Sequence, residues 1–245
     1  MLHRLFILPL LLFAFIPCLE AQEPDSFSDT LPATLVWQRP LPSIAVGSAF
    51  VVGISPVFFD AAHRQNILVR EEIQLWRRNA FNHSQLHFDN FVQYLPLLSV
   101  EVLDLVGVPS RHSSWPLLRR TVGGVVVTSA IVIPLKHIVD EWRPDRGASN
   151  SFPSGHTAFS FAGAELLRLE YGQHSWVIPA VGYSVASFTG FMRLYNDRHW
   201  LGDVLGGAAI GVVAADVSYY LNGFVDDFFS SRKKHPVSSP SLEIE

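Results

Sequence analysis

KHIVDEWRP (residues 136–144), PSGH (153–156) and RLYNDRHWLGD (193–203) concentrate the chemistry of this 245-residue chain. Reduced to their charged and polar positions they read Lys136-x6-Arg143-Pro144, Pro153-Ser154-Gly155-His156 and Arg193-x5-His199-x3-Asp203. Phosphoryl transfer needs fixed positive charge around the phosphoryl oxygens, a nucleophile, and a proton donor for the leaving oxygen. The three pieces supply each type. If the chain is helical at Asp203, the i, i+4 spacing puts its carboxylate on the face of His199. A carboxylate there accepts the Nδ1 proton and leaves Nε2 as an electron-rich nucleophile. Ser154 and Gly155 precede an apolar run, so Ser154 reads as a helix N-cap, and unpaired amides at such a helix start bind phosphate. His156 then enters from the first helical turn, placed to protonate a departing alkoxide. Taken singly, each residue has an ordinary reading as a turn, a cap or a solvated charge. Their order and spacing together point to one phosphate site.

The pattern resembles the type-2 phosphatidic acid phosphatase family, whose fold is shared with bacterial acid phosphatases and vanadium haloperoxidases. The resemblance covers roughly Tyr94 to Tyr220. It implies that Lys136, Arg143 and Arg193 bind phosphate with help from Ser154 and Gly155, that His156 is the general acid, that His199 is the nucleophile, and that Asp203 orients it. It implies no metal and no cofactor. The chain departs from the pattern in two places: Met192 stands where the family usually has Ser, and only Asp145 to Phe152 separates the first and second motifs. The short separation implies a small cap over the pocket, which suits a bulky substrate.

From Phe91 onward apolar runs recur, Phe91–Val108, Trp115–Leu135, Thr157–Leu169, Trp176–Met192 and Trp200–Val225, with no alternating strand pattern between Gly and Pro punctuation. The expected fold is an all-α bundle of the phosphatidic acid phosphatase/haloperoxidase type with about five or six membrane-embedded helices. The runs are short for a ~30 Å bilayer and contain Glu101, Asp104 and Glu165. Trp115, Trp142, Trp176 and Trp200 fall at their ends, as interfacial tryptophans do. Apolar residues make up 49% of the chain and charged residues 16%, at a net charge of −4, which leans toward a membrane protein. Glu165, nine residues after His156, faces away from it at 100° per residue and reads as structural. Glu101 and Asp104 read as a polar interhelix contact.

Residues 1–21 have a weakly basic opening, an apolar core and a small-residue end, as a cleavable signal or an anchor does. The one cysteine, Cys18, lies within it, so no disulfide is expected. Residues 22–90 form a leader and an interfacial region, in which Ala45–Ala61 is ambiguous between a span and a surface helix. There Val69, Ile73, Trp76 and Ala80 make an apolar stripe set against Arg70, Arg77 and Arg78, the pattern of an amphipathic helix lying on a membrane or on the core, and equally of an ordinary packed helix. The helical phosphatase domain is expected at 91–228 and a cytoplasmic tail at 229–245. The positive-inside rule puts Arg111, Arg119 and Arg120, and also Arg232, Lys233 and Lys234, in the cytoplasm, which leaves the three motifs outside.

The reading is a phosphatase in a bacterial inner membrane that hydrolyses lipid phosphate monoesters or pyrophosphates through a phosphohistidine at the periplasmic face. Its partners are a lipid phosphate and the membrane, with no nucleic acid. The stretches 161–165 and 189–193 resemble short exported members of the family and tilt the substrate toward an envelope lipid such as lipid A. Rival readings are a soluble periplasmic acid phosphatase, a vanadium haloperoxidase, and a non-catalytic phospholipid-binding or transport protein.

Overall fold

A computed structural model describes residues 67–80 and 86–234. The expected signal segment, the polar leader and Ala45–Ala61 lie outside the described residues. Among the described residues seven helices follow in order: α1 Ile67–Ala80, α2 Asp89–Val92, α3 Leu95–Leu105, α4 Ser114–Val139, α5 Gly155–Tyr171, α6 Val177–Tyr195 and α7 Leu201–Lys234. No strand occurs among the described residues, and the all-α expectation holds. The last helix runs on to Lys234, past the expected end of the domain at 228.

Helix α5 is the central post. Twelve of its seventeen residues are buried, most of them Ala, Gly, Ser, Thr and Leu, and α3, α4, α6 and α7 all pack on it. Small residues let backbones meet, and the seam with α7 shows why they are needed. A Cβ at Gly207 would fall 2.4 Å from the Ser154 carbonyl oxygen, and one at Gly211 would fall 2.2 Å from that of Ala158. This Gly-xxx-Gly edge brings the two helix axes close. Its consequence for the site is direct, because it sets the start of α5 against the start of α7, where the Ser154 amide donates to the Asp203 carbonyl at 3.0 Å.

Polar groups inside the bundle are tied to one another. Glu165 is 1% exposed, accepts from Arg168 Nε at 2.9 and 3.0 Å, and accepts the Tyr183 hydroxyl of α6. It therefore has a structural occupation, as its position on the helix implies. Tyr171 donates to the Val100 carbonyl at 2.6 Å and fastens α3 to α5.

Of the five runs expected to be embedded, two give helices long and apolar enough to cross a membrane: α4, and α7 through Asp226. Only 17% of the apolar window of α4 is buried by protein, so its remaining surface is an apolar outer face carrying exposed Val122, Val126 and Ile133. Helix α3 has eleven residues, or roughly 16 Å at 1.5 Å per residue, about half a bilayer. Helix α5, at seventeen residues, is enclosed by its neighbours.

At the end of the bundle away from the motifs, Arg119 and Arg120 of α4 both pair with Asp226 of α7. Arg120 is fully buried and lies 5.1 Å from the Tyr219 ring centroid. One carboxylate thus serves two guanidiniums, the half-buried Arg119 and the buried Arg120, and the trio keeps a net positive charge.

The inward face of helix α1 is not the apolar stripe alone. Gln74 and Arg77 are its buried residues, Ile73 and Trp76 are half-buried, and Ala80 is exposed. Residues 73 and 77 are one turn apart and share a face, so Arg77 is not opposite the apolar stripe. Its Nε donates to the Tyr195 carbonyl at 2.8 Å, and its Nη1 lies 3.5 Å from Asp197 Oδ2. A polar anchor to the loop after α6 decides which face turns inward.

Candidate active site

The first motif begins on the last turn of α4. Lys136 projects from there and donates from Nζ to the Asn150 carbonyl at 2.8 Å. The helix stops at Asp140, which takes the left-handed conformation (φ 46°, ψ 47°). The chain then folds on itself, the Arg143 amide donating to Ala148 at 3.0 Å and the Ser151 amide to Glu141 at 2.8 Å. Two further contacts pin this loop to the third motif. The Asp145 amide donates to the Asp197 carbonyl at 3.2 Å, and Arg198 Nη1 lies 3.1 Å from Asp145 Oδ2. Arg143 is thereby carried to the same surface as the residues after α6.

Ser154 caps α5 as its sequence position implies: it has extended backbone, and its hydroxyl accepts from the Thr157 amide. The Lys136 stem lies beside the next residue, since a Cβ on Gly155 would be 3.9 Å from Lys136 Cε. His156 follows on the first turn, and its Nε2 lies 2.9 Å from Asn90 Oδ1. Burial first, and then the charge on Arg193, push the His156 imidazole down to about 3.

The third motif closes the site. Arg193 leaves the last turn of α6, and its Nη1 meets Asp89 Oδ2 at 2.5 Å. His199 precedes α7 and is 1% exposed. Its Nδ1 is 3.5 Å from Asp203 Oδ2 and 3.5 Å from the Ser151 hydroxyl. That carboxylate oxygen accepts a 2.5 Å bond from Ser151 and a 2.8 Å bond from the Trp200 amide. Asp203 at the third position of α7 thus reaches back to cap its own helix, which fixes the carboxylate beside His199. Burial, followed by the charges of Arg193, Lys136 and Arg143, holds His199 well below the ordinary histidine range. The ring is neutral at physiological pH, as a nucleophile must be.

All eight residues singled out in the sequence, Lys136, Arg143, Ser154, Gly155, His156, Arg193, His199 and Asp203, meet at this end of the bundle. Two guanidinium donors there, Arg143 Nε and Arg193 Nε, are buried without a protein acceptor. Buried donors are nearly always satisfied, and an arginine N–H turned to a bound oxyanion is one such partner. The sequence did not reveal Ser151, Asp89, Asn90 or Asn196. Ser151 stands in a turn with no spacing signal, and Asp89 and Asn90 lie over a hundred positions from Arg193 in a stretch without periodicity.

Residues 118–225, which include all three motifs, match the PAP2 superfamily. The matched stretch is a little under half of the chain. Over 231 residues it is 34% identical to a lipid A 1-phosphatase of Porphyromonas gingivalis, covering 92% of this chain and 50% of that protein. Over 80 residues it is 42% identical to a probable diacylglycerol pyrophosphate phosphatase of Schizosaccharomyces pombe, covering 28% of this chain and 29% of that protein. The chain thus spans half the length of the first relative and less than a third of the second. Among solved structures, it is similar to a transmembrane PAP2 type phosphatidylglycerolphosphate phosphatase from Bacillus subtilis, with 18% identity and a TM-score of 0.46. That likeness covers 78% of this chain and 96% of the other.

Proposed function

We propose that this chain is a membrane phosphatase that hydrolyses lipid phosphate monoesters or pyrophosphates through a phospho-His199 intermediate. The observation that carries the reading is His199 itself: a buried neutral imidazole, its Nδ1 side turned to Asp203 and Ser151, among Lys136, Arg143 and Arg193. The three cations hold the phosphoryl oxygens, and the Gly155 amide at the start of α5 adds a backbone donor. His199 Nε2 attacks phosphorus while His156, which takes up a proton at Nδ1 when the anionic substrate offsets the neighbouring cations, gives that proton to the leaving alkoxide. Water then attacks the phosphorus of phospho-His199, His156 takes up the water proton, and inorganic phosphate leaves. The protein side chains supply the positive charge, so no metal enters the scheme.

A lipid substrate is supported by the rim. Leu86, Phe88, Phe91, Trp142 and Phe188 are all exposed on segments that carry site residues, and Phe88 stacks on Phe188 at 5.9 Å. The name of the Porphyromonas relative supports an envelope lipid, with the 1-phosphate of lipid A as the first substrate to try. The Arg119–Arg120–Asp226 end is opposite the motifs, which supports a membrane orientation with the site at the periplasmic face of a bacterial inner membrane. The test is phosphate release by the purified chain in detergent with a chelator present. Lipid A, phosphatidic acid, phosphatidylglycerophosphate, an isoprenoid pyrophosphate and a soluble aryl ester form the panel. Preference for a lipid with no loss on chelation is expected. Activity restored only by a divalent ion, or confined to the soluble ester, overturns the reading.

A further inference from the structure

Four residues join the segment before the matched domain to the phosphate site. The Arg77 side chain bonds the Tyr195 carbonyl. Leu86 and Asn196 make a reciprocal pair, with the Leu86 amide donating to Asn196 Oδ1 at 2.9 Å and Asn196 Nδ2 donating to the Leu86 carbonyl at 2.7 Å. Asp89 Oδ1 accepts from Asn196 Nδ2 at 3.2 Å while its Oδ2 holds Arg193. Asn90 Oδ1 meets His156 Nε2. The contacts therefore fall on residues 193–196 and on His156, two of the elements from which the site is built.

We propose that Asp89 and Asn90, which lie outside the matched residues 118–225, are positioning residues of the phosphate site: Asp89 braces the Arg193 guanidinium and Asn90 holds the His156 ring. The inference rests on the function proposed above and adds two residues to it. A carboxylate against a phosphate-binding arginine can serve as a brace or as a plug that phosphate must displace. Asp89 is 1% exposed, lies on helix α2, and is held from its other oxygen by Asn196, itself 2% exposed. A group fixed from both oxygens does not swing aside for each substrate. It occupies Nη1 and leaves Arg193 Nε, a buried donor without a protein acceptor, for the phosphoryl group. The planar guanidinium suits this division, since one edge can be anchored while another donor binds the anion. For His156 the logic is orientation. Asn90 accepts from Nε2, fixing the proton on that nitrogen and the plane of the ring.

The test uses the full chain in detergent, with vanadate as the phosphate probe. Asp89→Asn should weaken vanadate inhibition and raise KM by about tenfold to a hundredfold, the scale of one charge-assisted contact, with a smaller change in kcat. Asp89→Glu, which keeps the charge, should recover part of the loss and guards against a folding artefact. Asn90→Ala should lower kcat on an alkyl phosphate by about tenfold and spare p-nitrophenyl phosphate, whose leaving group needs little protonation. Tighter vanadate binding in Asp89→Asn would show a plug and overturn the brace. Equal losses of Asn90→Ala on both esters would remove Asn90 from its role. If the wild-type protein released no phosphate from any ester, the proposed function would fail, while vanadate protection against thermal unfolding would still decide the brace.

Discussion

At one end of the bundle, basic side chains are paired with acids. Arg119 and Arg120 share Asp226, and His112 is held by Glu170 at 2.9 Å from Nδ1 and 3.1 Å from its amide. At the other end Lys136, Arg143 and Arg193 gather around His156 and His199, with Asp89 and Asp203 as the buried acids. The Nε donors of Arg143 and Arg193 lack protein acceptors, as do those of Arg119 and Arg120 at the far end, so the ends differ in ion pairing: Arg119 and Arg120 both hold a carboxylate, while Lys136 and Arg143 hold none among the described residues. The same fold thus uses buried arginine in two ways. Where arginine pairs with a carboxylate of another helix, it holds the helices together. Where positive charge is in surplus, it costs desolvation and is matched when an anion arrives.

The comparison can be broken first with histidine. His199→Ala should take phosphate release to background, because no other residue of the three motifs is placed to attack phosphorus. His112→Ala should leave turnover within about twofold while lowering stability by about 1–3 kcal/mol, the cost of leaving a buried partner unsatisfied. Comparable loss of turnover in the two variants would erase the distinction between the ends.

Arginine gives the next effect. Arg193→Ala should reduce kcat/KM by about 10²–10³, as removal of one preorganised donor does. Asp226→Ala should keep kcat/KM and lower the unfolding free energy by about 1–3 kcal/mol, since it strands the buried Arg120 but is itself partly exposed. Thermal unfolding and steady-state kinetics on both variants check this. The opposite assignment, catalysis lost at Asp226 and stability lost at Arg193, would refute it.

The smallest effect is a proton. His156 is held down to about 3 by burial and then by the Arg193 charge, with Arg143 and the His199 ring further lowering it and Asp89 raising it. A phosphate or vanadate anion beside Arg193 and Arg143 offsets those cations, so the imidazole becomes more basic on binding. The sign is uptake: a fraction of a proton per site should enter when vanadate binds at pH 6. Calorimetry in buffers of different ionisation enthalpy measures it, and His156→Ala should show none. Proton release on binding would mean that the cations do not control His156.

Much of the near end was legible because its chemistry is local in sequence. Ser154 caps α5 from the position its neighbours imply, and the four-residue spacing of His199 and Asp203 does bring them together. The contact is longer than a direct hydrogen bond, since His199 sits just before α7 and Ser151 and the Trp200 amide take the close approaches to the carboxylate. The helical class followed from the apolar runs, but their membrane crossing did not follow from their number. Run length says nothing of whether α5 meets lipid or protein, and the glycines facing it decide that. Arg77, Asp89 and Asn90 were hidden for a different reason. Each acts across more than sixty positions of chain, and no periodicity marks a polar residue whose partner comes from another helix.

The central claim is that phosphate passes through His199. Rapid mixing of the purified chain with a ³²P-labelled lipid phosphate, followed by an alkaline quench, tests it most directly. The account predicts transient protein-bound label that survives alkali, is lost in acid, maps to the peptide containing His199, and is absent in His199→Ala. Complete single-turnover release of phosphate with no label on the protein at any time, or label that persists in His199→Ala, would contradict it.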